Sequence, residues 1–353
     1  MRNPRQLWIS TLTAAFLLAL SSGAFAQDVE NTTGGALAPP TTDTAQGSQP
    51  VAVNANQVLP LLLVEAEKGN ANAMLTIGNI YERGLYGNRR NFGKALEWYQ
   101  KAADAGLPAG FFNVGISFEV GQGTAPDSQV AFENFVKAAE KGLPIAKQKL
   151  GELYLSGEGV IADPAAAVRY LTEAGQDGLS ESDFLLARLY LNGLSGVKLD
   201  VKKGLDLINQ LADKKYPIAL NELGAISYLG TFEQPKDYKK AEAYFLQAAD
   251  LGSGDAMKNL GALYLNGDDA NPPNQTDALK WFTLSTAFGY GNQDIMNAIA
   301  NLRAEMKPEE IQAAENSVRQ WVEAKQAQAE ADRAAAAAAA AENPSAATPP
   351  AAN

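Results

Sequence analysis

The sequence predicts an all-α solenoid, a stack of about six helical hairpins, and three observations support this prediction. A small residue recurs at steps of 36 or 37 residues through the middle of the chain, a second small column keeps the same steps, and glycines punctuate the segments between them. The first column is Gly78, Gly115, Gly151, Ala187, Gly224 and Gly261, and the second is Ala95, Ala131, Ala167, Gly204, Ala241 and Ala278. Such a period is typical of repeat proteins, in which each unit buries one face against its neighbours.

The first 26 residues predict a secretory signal peptide. Arg2 and Arg5 form a positive region, residues 7–20 are mostly apolar, and Ala24-Phe25-Ala26 fits the small-residue cleavage pattern. The apolar stretch is shorter than the ~20 residues that a membrane helix needs, which disfavours a retained anchor. We therefore expect cleavage after Ala26, a periplasmic or secreted chain, and no membrane-embedded segment in the mature protein.

Residues 27–55 are rich in Thr, Gly, Pro and Ala and predict a flexible linker. Residues 56–70 resemble a lone second helix and predict an N-terminal half-repeat. Residues 71–291 hold the six repeats. Residues 292–333 predict C-terminal capping helices, and residues 334–353 form an Ala/Pro-rich tail whose alanine run extends the last helix until Pro344.

Each repeat is predicted to be an αα-hairpin. In the first helix, the small residue follows an apolar one and precedes a ring by three positions, as in Ile77-Gly78 with Tyr81, so these side chains share one face. In the second helix, aromatic residues follow the small residue, as in Trp98-Tyr99. Small residues let two helices approach closely while the rings fill the space beyond them. Segments such as Gly121-Gln122-Gly123 turn the chain between the helices.

The residues then resemble a known family. Residues 94–106 match the second half of the Sel1-like repeat, a relative of the tetratricopeptide repeat, and residues 146–160 match its first half. The resemblance implies a right-handed α-superhelix that acts as an adaptor or scaffold. Secreted bacterial members include regulators of membrane histidine kinases that control exopolysaccharide synthesis. Repeat four departs most from the pattern, with Ala187, Gly204 and Lys215 at three of its small-residue positions.

Composition excludes several kinds of chemistry. The chain has no cysteine and no histidine, so thiolate or histidine-dependent catalysis and the usual zinc sites are absent. With 29 basic and 40 acidic residues the net charge is −11, and removal of Arg2 and Arg5 leaves 27 minus 40, or −13. This balance disfavours nucleic-acid binding. We predict no enzymatic activity, no cofactor and no metal; the acidic loop 266–271 lacks calcium-loop spacing and predicts an ordinary turn.

The candidate partner contacts are Asn79, Ile116, Glu152 and Arg188, each directly after the small residue of a first helix. In a solenoid such positions converge on the concave face. Ala225 and Ala262 continue the series, which therefore changes from polar to apolar and suits a peptide or helix with a basic and an apolar portion. The leading interpretation is an exported scaffold that binds proteins and regulates envelope signalling or exopolysaccharide production.

An alternative of another class is a glycan-binding or glycan-processing envelope protein that stacks sugars on aromatic rings. The candidate rings are Trp98, Tyr99, Phe135, Tyr244, Phe245, Trp281 and Phe282. Their periodic place beside the small columns favours core packing over an exposed ladder.

Overall fold

The computed structural model describes residues 55–342, which form fifteen α-helices and no β-strand. The helices are α1 (Ala55–Glu67), α2 (Ala71–Arg83), α3 (Phe92–Asp104), α4 (Pro108–Val120), α5 (Ser128–Glu140), α6 (Pro144–Ser156), α7 (Pro164–Gln176), α8 (Ser180–Asn192), α9 (Val201–Asp213), α10 (Pro217–Leu229), α11 (Tyr238–Asp250), α12 (Gly254–Asn266), α13 (Gln275–Ala287), α14 (Gln293–Glu305) and α15 (Pro308–Glu342). This confirms the predicted all-α class. The predicted signal peptide, nearly all of the linker and the last 11 residues lie outside the described part of the chain.

The helices pair as hairpins, in the order α2 with α3 through α12 with α13. The chain divides into two compact units at Leu179 and Ser180, and each unit contains three hairpins. In the first unit, α1 packs on α2 through a small cluster of Ala66, Ala73 and Ile77. A single helix therefore precedes the first hairpin and contacts it.

Each hairpin has the same capping pattern. Every second helix begins after an Asn or Asp whose side-chain oxygen accepts a backbone N–H from the first helical turn. The backbone N–H of that residue also donates to the carbonyl of the first helix, at the position three after the small residue, over 2.7 to 2.9 Å. These caps are Asn91, Asp127, Asp163, Asp200, Asp237 and Asn274. One residue therefore both starts the second helix and ties it to the end of the first.

The small residue of the first helix receives a large apolar or aromatic side chain of the second. A Cβ atom on Gly78 would lie 2.4 Å from Tyr99 Cε1, and one on Gly115 would lie 2.6 Å from Phe135 Cε1. Phe245 and Phe282 pack on their glycines in the same way, and Leu171 does so in repeat three. These large side chains are almost fully buried, so the predicted glycine and ring columns form the core of each hairpin.

Repeat four reaches the same packing by exchanging sizes between its helices. Ala187 stands where the other first helices carry glycine, and the second helix offers Gly204 and the smaller Ile208 in place of alanine and a ring. A Cβ on Gly204 would lie 2.6 Å from Leu191 Cγ, so the space removed from one helix is filled by the other. Ala187, Leu191 and Ile208 are all buried. The departures from the family pattern therefore compensate one another.

The paired glycines of the turns have packing roles. A Cβ on Gly123 would lie 2.4 Å from the carbonyl oxygen of Phe92, and one on Gly159 would lie 2.3 Å from that of Ser128. Both glycines also have positive φ, of 79° and 70°. The second glycine of each pair therefore allows a turn to rest on the first residue of the preceding repeat's second helix.

The end of the stack is covered by α14 and the first part of α15. Ala298 and Leu302 bury their side chains in a cluster with Phe282, and the Trp321 ring lies 6.2 Å from that of Trp281 between ring centroids. From Gln326 to Ala339 every side chain of α15 is exposed. Within residues 55–342, no helix is long and apolar enough to cross a membrane.

Candidate interaction surface

The packing of each first helix against its partner leaves another side of that helix for a ligand. The glycine side is filled by the second helix, so the positions two before and one after the small residue point elsewhere. We call these twelve positions the first-helix face: Thr76, Asn79, Asn113, Ile116, Lys149, Glu152, Leu185, Arg188, Glu222, Ala225, Asn259 and Ala262. All twelve are half-buried. In each unit, most fully exposed side chains of the hairpins lie on second helices rather than on first helices.

In repeat one, a residue of the second helix hydrogen-bonds to the first-helix face. The Tyr99 hydroxyl lies 2.8 Å from Asn79 Oδ1 and 2.9 Å from Glu82 Oε2. Burial raises the pKa of the Tyr99 hydroxyl far above its ordinary value, and the negative charge of Glu82 and the hydrogen bond to it add to this rise. Tyr99 therefore remains a neutral donor that fixes the orientation of the predicted contact residue Asn79.

In repeats two and three, an ion pair joins consecutive first helices. Lys149 Nζ lies 2.8 Å from Glu119 Oε1, and the two side chains are 24% and 16% exposed. Glu152 lies one helical turn after Lys149 and accepts a hydrogen bond of 3.0 Å from Gln148 Nε2. Ile116 packs against the apolar core of the same two repeats.

The Glu152 carboxyl is shielded from solvent. Burial raises its pKa above the ordinary value and the charge of Glu119 adds to the rise, while the hydrogen bond from Gln148 and the charge of Lys149 oppose it. A carboxylate in such a position gains more from a cationic ligand than a fully solvated one would, because its own hydration is already incomplete.

The second unit also has a shielded carboxyl near a positive charge on its first helices. Burial raises the pKa of the Glu222 carboxyl on α10, and the charge of Arg188 on α8 opposes the rise. Farther along, Asn259 Nδ2 donates to Asn221 Oδ1 over 2.8 Å, which links α12 to α10. Ala262 packs against the core near the cap. At the same positions the first helices of the second unit therefore carry two opposite charges, Arg188 and Glu222, together with Ala225, Asn259 and Ala262.

The structure thus places all four predicted contacts on a half-buried face, and it supplies their neighbours, which the sequence analysis missed. Lys149, Glu222 and Asn259 stand two residues before the small column, and a helical wheel centred on that column would have found them. Within residues 55–342, no group of three acidic side chains could hold a metal ion.

The acidic loop and the aromatic rings both make structural contacts within the fold. Asp268 Oδ1 accepts backbone N–H groups from Ala270 and Asn271 at 2.9 and 2.6 Å, which closes an ordinary turn. The side-chain amide of Asn271, whose Nδ2 donates to the same oxygen at 2.8 Å, lowers the pKa of the Asp268 carboxyl, and the two backbone donors add to this effect. Phe135 and Phe245 lie buried against glycine, and Trp281 is also buried. The rings proposed as a sugar ladder are therefore mainly core side chains.

Helical hairpins that repeat the same core columns, with varied residues on another side of their first helices, define an α-solenoid. The Sel1 repeat profile matches residues 71–107, 112–143, 144–179, 180–216, 217–253 and 254–287. These segments make up more than half of the chain, and the chain belongs to the Sel1 repeat family. The predicted family and the six-hairpin solenoid are confirmed.

Three proteins are similar to this chain. A Sel1 repeat protein from Oxalobacter formigenes has a crystal structure that is 32% identical, with a TM-score of 0.57 over 66% of this chain and 96% of that one. A protective antigen of uropathogenic Escherichia coli with an SLR fold is 23% identical, with a TM-score of 0.41 over 75% of this chain and 63% of that one.

The third is HRD3A of Arabidopsis thaliana, an ERAD-associated E3 ubiquitin-protein ligase component. It is 46% identical over 63 residues, which are 18% of this chain and 9% of that protein, so this chain spans less than a tenth of that relative. The Sel1 repeat family consists of non-enzymatic repeat scaffolds that mediate protein–protein interaction.

Proposed function

We propose that this chain is an exported scaffold that binds a protein partner on its first-helix face and regulates envelope signalling or exopolysaccharide production. One observation carries the protein-binding part. The core columns repeat through all six hairpins, whereas the side chains at the face positions differ from repeat to repeat and are all half-buried. A fold alone does not require this variety, but recognition of one partner does.

The face favours a segment with a cationic portion and an apolar portion. In the first unit, Lys149 on the face has two acids beside it, Glu119 and the face residue Glu152, and burial raises the pKa of the Glu152 carboxyl. In the second unit Ala225 and Ala262 leave space on the face because their side chains are small. Export is supported by the N-terminal sequence pattern, and the regulatory role is supported by the family resemblance.

The binding proposal is tested by photo-crosslinking in living cells. A photo-reactive residue replaces Asn113 on the first-helix face, and a matched variant carries it at Glu133 on the exposed side of α5. We expect one adduct of defined mass from position 113 and none from position 133, with the partner identified by mass spectrometry and its binding reproduced with purified proteins. Equal crosslinking from both positions, or from neither, would overturn the proposed face.

Location and process need separate measurements. Osmotic-shock fractionation should place the mature chain in the periplasm or the medium, beginning at Gln27 by N-terminal sequencing. Retention of the chain in the cytoplasm would contradict export. A deletion strain with unchanged exopolysaccharide output and unchanged envelope-stress reporters would contradict the regulatory role while leaving protein binding intact.

A further inference from the structure

A basic and apolar patch begins at the last residue of α2 and continues into the loop between the two helices of repeat one. It consists of Arg83, Leu85, Tyr86, Arg89 and Arg90, which are all exposed, and we call it the repeat-one loop patch. Leu85 is 41% exposed and Tyr86 is 45% exposed, values that place both among the exposed large apolar residues of the described chain.

The loop is positively charged, whereas the chain as a whole is negatively charged. Residues 83–94 contain three arginines and one lysine with no acidic residue, in a chain whose net charge is −11. The nearest acids along the sequence are Glu82 and Glu97. Glu82 is engaged by the Tyr99 hydroxyl at 2.9 Å. The arginines of the patch therefore form a local positive region on an acidic protein.

The loop backbone is fixed before any partner arrives. Gly84 and Tyr86 have φ of 70° and 53°, and Asn88 Nδ2 donates to the carbonyl oxygens of Leu85 and Tyr86 at 3.0 and 3.3 Å. The backbone N–H of Asn91 donates to Tyr81 at 2.7 Å and closes the loop. A preformed loop loses little conformational entropy when it binds.

The same turn occurs in repeats four and five, where it carries different chemistry. Ser195 and Phe232 occupy the position of Tyr86, with φ of 51° and 55°. The arginine pair is replaced by Lys198-Leu199 in repeat four and by Pro235-Lys236 in repeat five. The backbone conformation is therefore a property of the fold, whereas the arginines and the tyrosine are not required by it.

We propose that the repeat-one loop patch binds an acidic, partly apolar segment of a protein partner. Guanidinium groups pair with carboxylates through two parallel hydrogen bonds, and Tyr86 and Leu85 supply the apolar contact between them. Arginine and tyrosine are also enriched among the residues that contribute most of the binding energy at protein interfaces. More than half of the surface of Leu85 and of Tyr86 is already covered, which leaves little apolar area to insert into a lipid layer.

The test measures fluorescence anisotropy of a labelled peptide in which paired glutamates alternate with leucine, added to the intact chain. We expect Arg89→Glu/Arg90→Glu to weaken binding about tenfold or more. Arg89→Lys/Arg90→Lys should give a smaller loss, because it keeps the charge but not the paired hydrogen bonds. Tyr86→Ser, which copies repeat four, should weaken binding without lowering the thermal midpoint.

The matched control is Lys236→Glu/Lys239→Glu in repeat five, which makes the same charge change at two exposed lysines. It should alter peptide affinity by no more than about twofold. An equal loss in both charge-reversal variants would overturn the proposal, because the effect would then be one of net charge. Binding to phosphatidylglycerol vesicles but not to the peptide would also overturn it in favour of a lipid surface.

The inference rests on the proposed function in one respect, that the occupant is a protein. The crosslinking experiment at position 113 separates the two when it is repeated with Arg89→Glu/Arg90→Glu. Loss or marked weakening of the partner adduct supports the loop patch as a second contact. An unchanged adduct overturns the loop patch alone, and no adduct in either background overturns the proposed function itself.

Discussion

The two sides of each first helix differ in how closely their residues repeat from one hairpin to the next. On the glycine side, a small residue meets a large apolar side chain in all six hairpins, and even repeat four preserves the pairing by exchanging sizes between Ala187 and Gly204. On the first-helix face, the residue after the small column is an amide, an isoleucine, an acid, a base and then two alanines. The glycine side therefore carries the fold, and the face is free to carry recognition.

We expect the largest change in stability when an aromatic ring of the core is removed. Phe135→Ala deletes a side chain that is 0% exposed, so we expect it to lower the free energy of unfolding by about 3–5 kcal/mol. Asn113→Ala on the first-helix face should change it by no more than about 0.5 kcal/mol. Urea denaturation followed by circular dichroism measures both. Comparable losses in the two variants would show that the face contributes to the fold as much as the core does.

The next effect comes from adding a methyl group to the glycine side. Gly115→Ala places a Cβ 2.6 Å from Phe135 Cε1, and we expect a loss of about 1–3 kcal/mol through overpacking. Gly93→Ala on α3 is the matched control, since its Cβ would have only an ordinary contact of 3.5 Å with Asn91 Oδ1. It should gain up to about 1 kcal/mol from helix propensity. Stabilisation by both changes would mean that Phe135 can move aside.

The difference between the two sides also explains what could be predicted from the sequence. A column that repeats six times shows both the length of the hairpin and the side that is buried, so the glycine and ring columns predicted the core. The N-cap column was available in the same way, but only Asp163 is followed by a proline that marks it. Recurrence thus reveals what the fold requires.

Recurrence reveals less about the candidate site, because a site differs between repeats. The position of Asn79 after its glycine placed it on the face, but its contact with Tyr99 joins residues 20 apart and has no counterpart in repeat two, where Phe135 replaces the tyrosine. The pairing of Glu119 with Lys149 depends on how far one hairpin is rotated on the next. Such distances follow from packing rather than from any local pattern.

A smaller effect separates stability from recognition on the face itself. Burial raises the pKa of Glu152 in the folded state above the ordinary value of 4.5, so the folded chain binds a proton more readily than the unfolded chain. The ionised form is therefore a cost to stability that disappears as the pH falls through the folded pKa towards 4.5.

Glu152→Gln should accordingly raise the thermal midpoint by about 1–3 °C at neutral pH, and this gain should vanish near pH 4. Glu158→Gln, at an exposed position in the following loop, is the control and should leave the midpoint unchanged at both pH values. The same Glu152→Gln variant should weaken the crosslink from position 113. Stabilisation without loss of the crosslink would mean that this carboxylate does not serve the partner.

The smallest expected effect concerns the one hairpin whose terminal glycine is replaced. Lys215 has φ of 59°, a conformation that costs an L-residue roughly 1 kcal/mol and that glycine adopts freely. Lys215→Gly should therefore stabilise the chain by about 0.5–1 kcal/mol, since it removes this backbone cost at an exposed position.

Gly178→Lys is the reciprocal change, because Gly178 has φ of 96° and no atom within 4 Å of an added Cβ. It should destabilise the chain by a similar amount, and both variants can be compared by their urea midpoints. Stability changes of equal size and opposite sign in the two variants would show that only backbone strain distinguishes lysine from glycine at the end of a hairpin. A loss of stability in Lys215→Gly would instead mean that the lysine side chain makes a stabilising contact, and that repeat four uses this position for more than the turn.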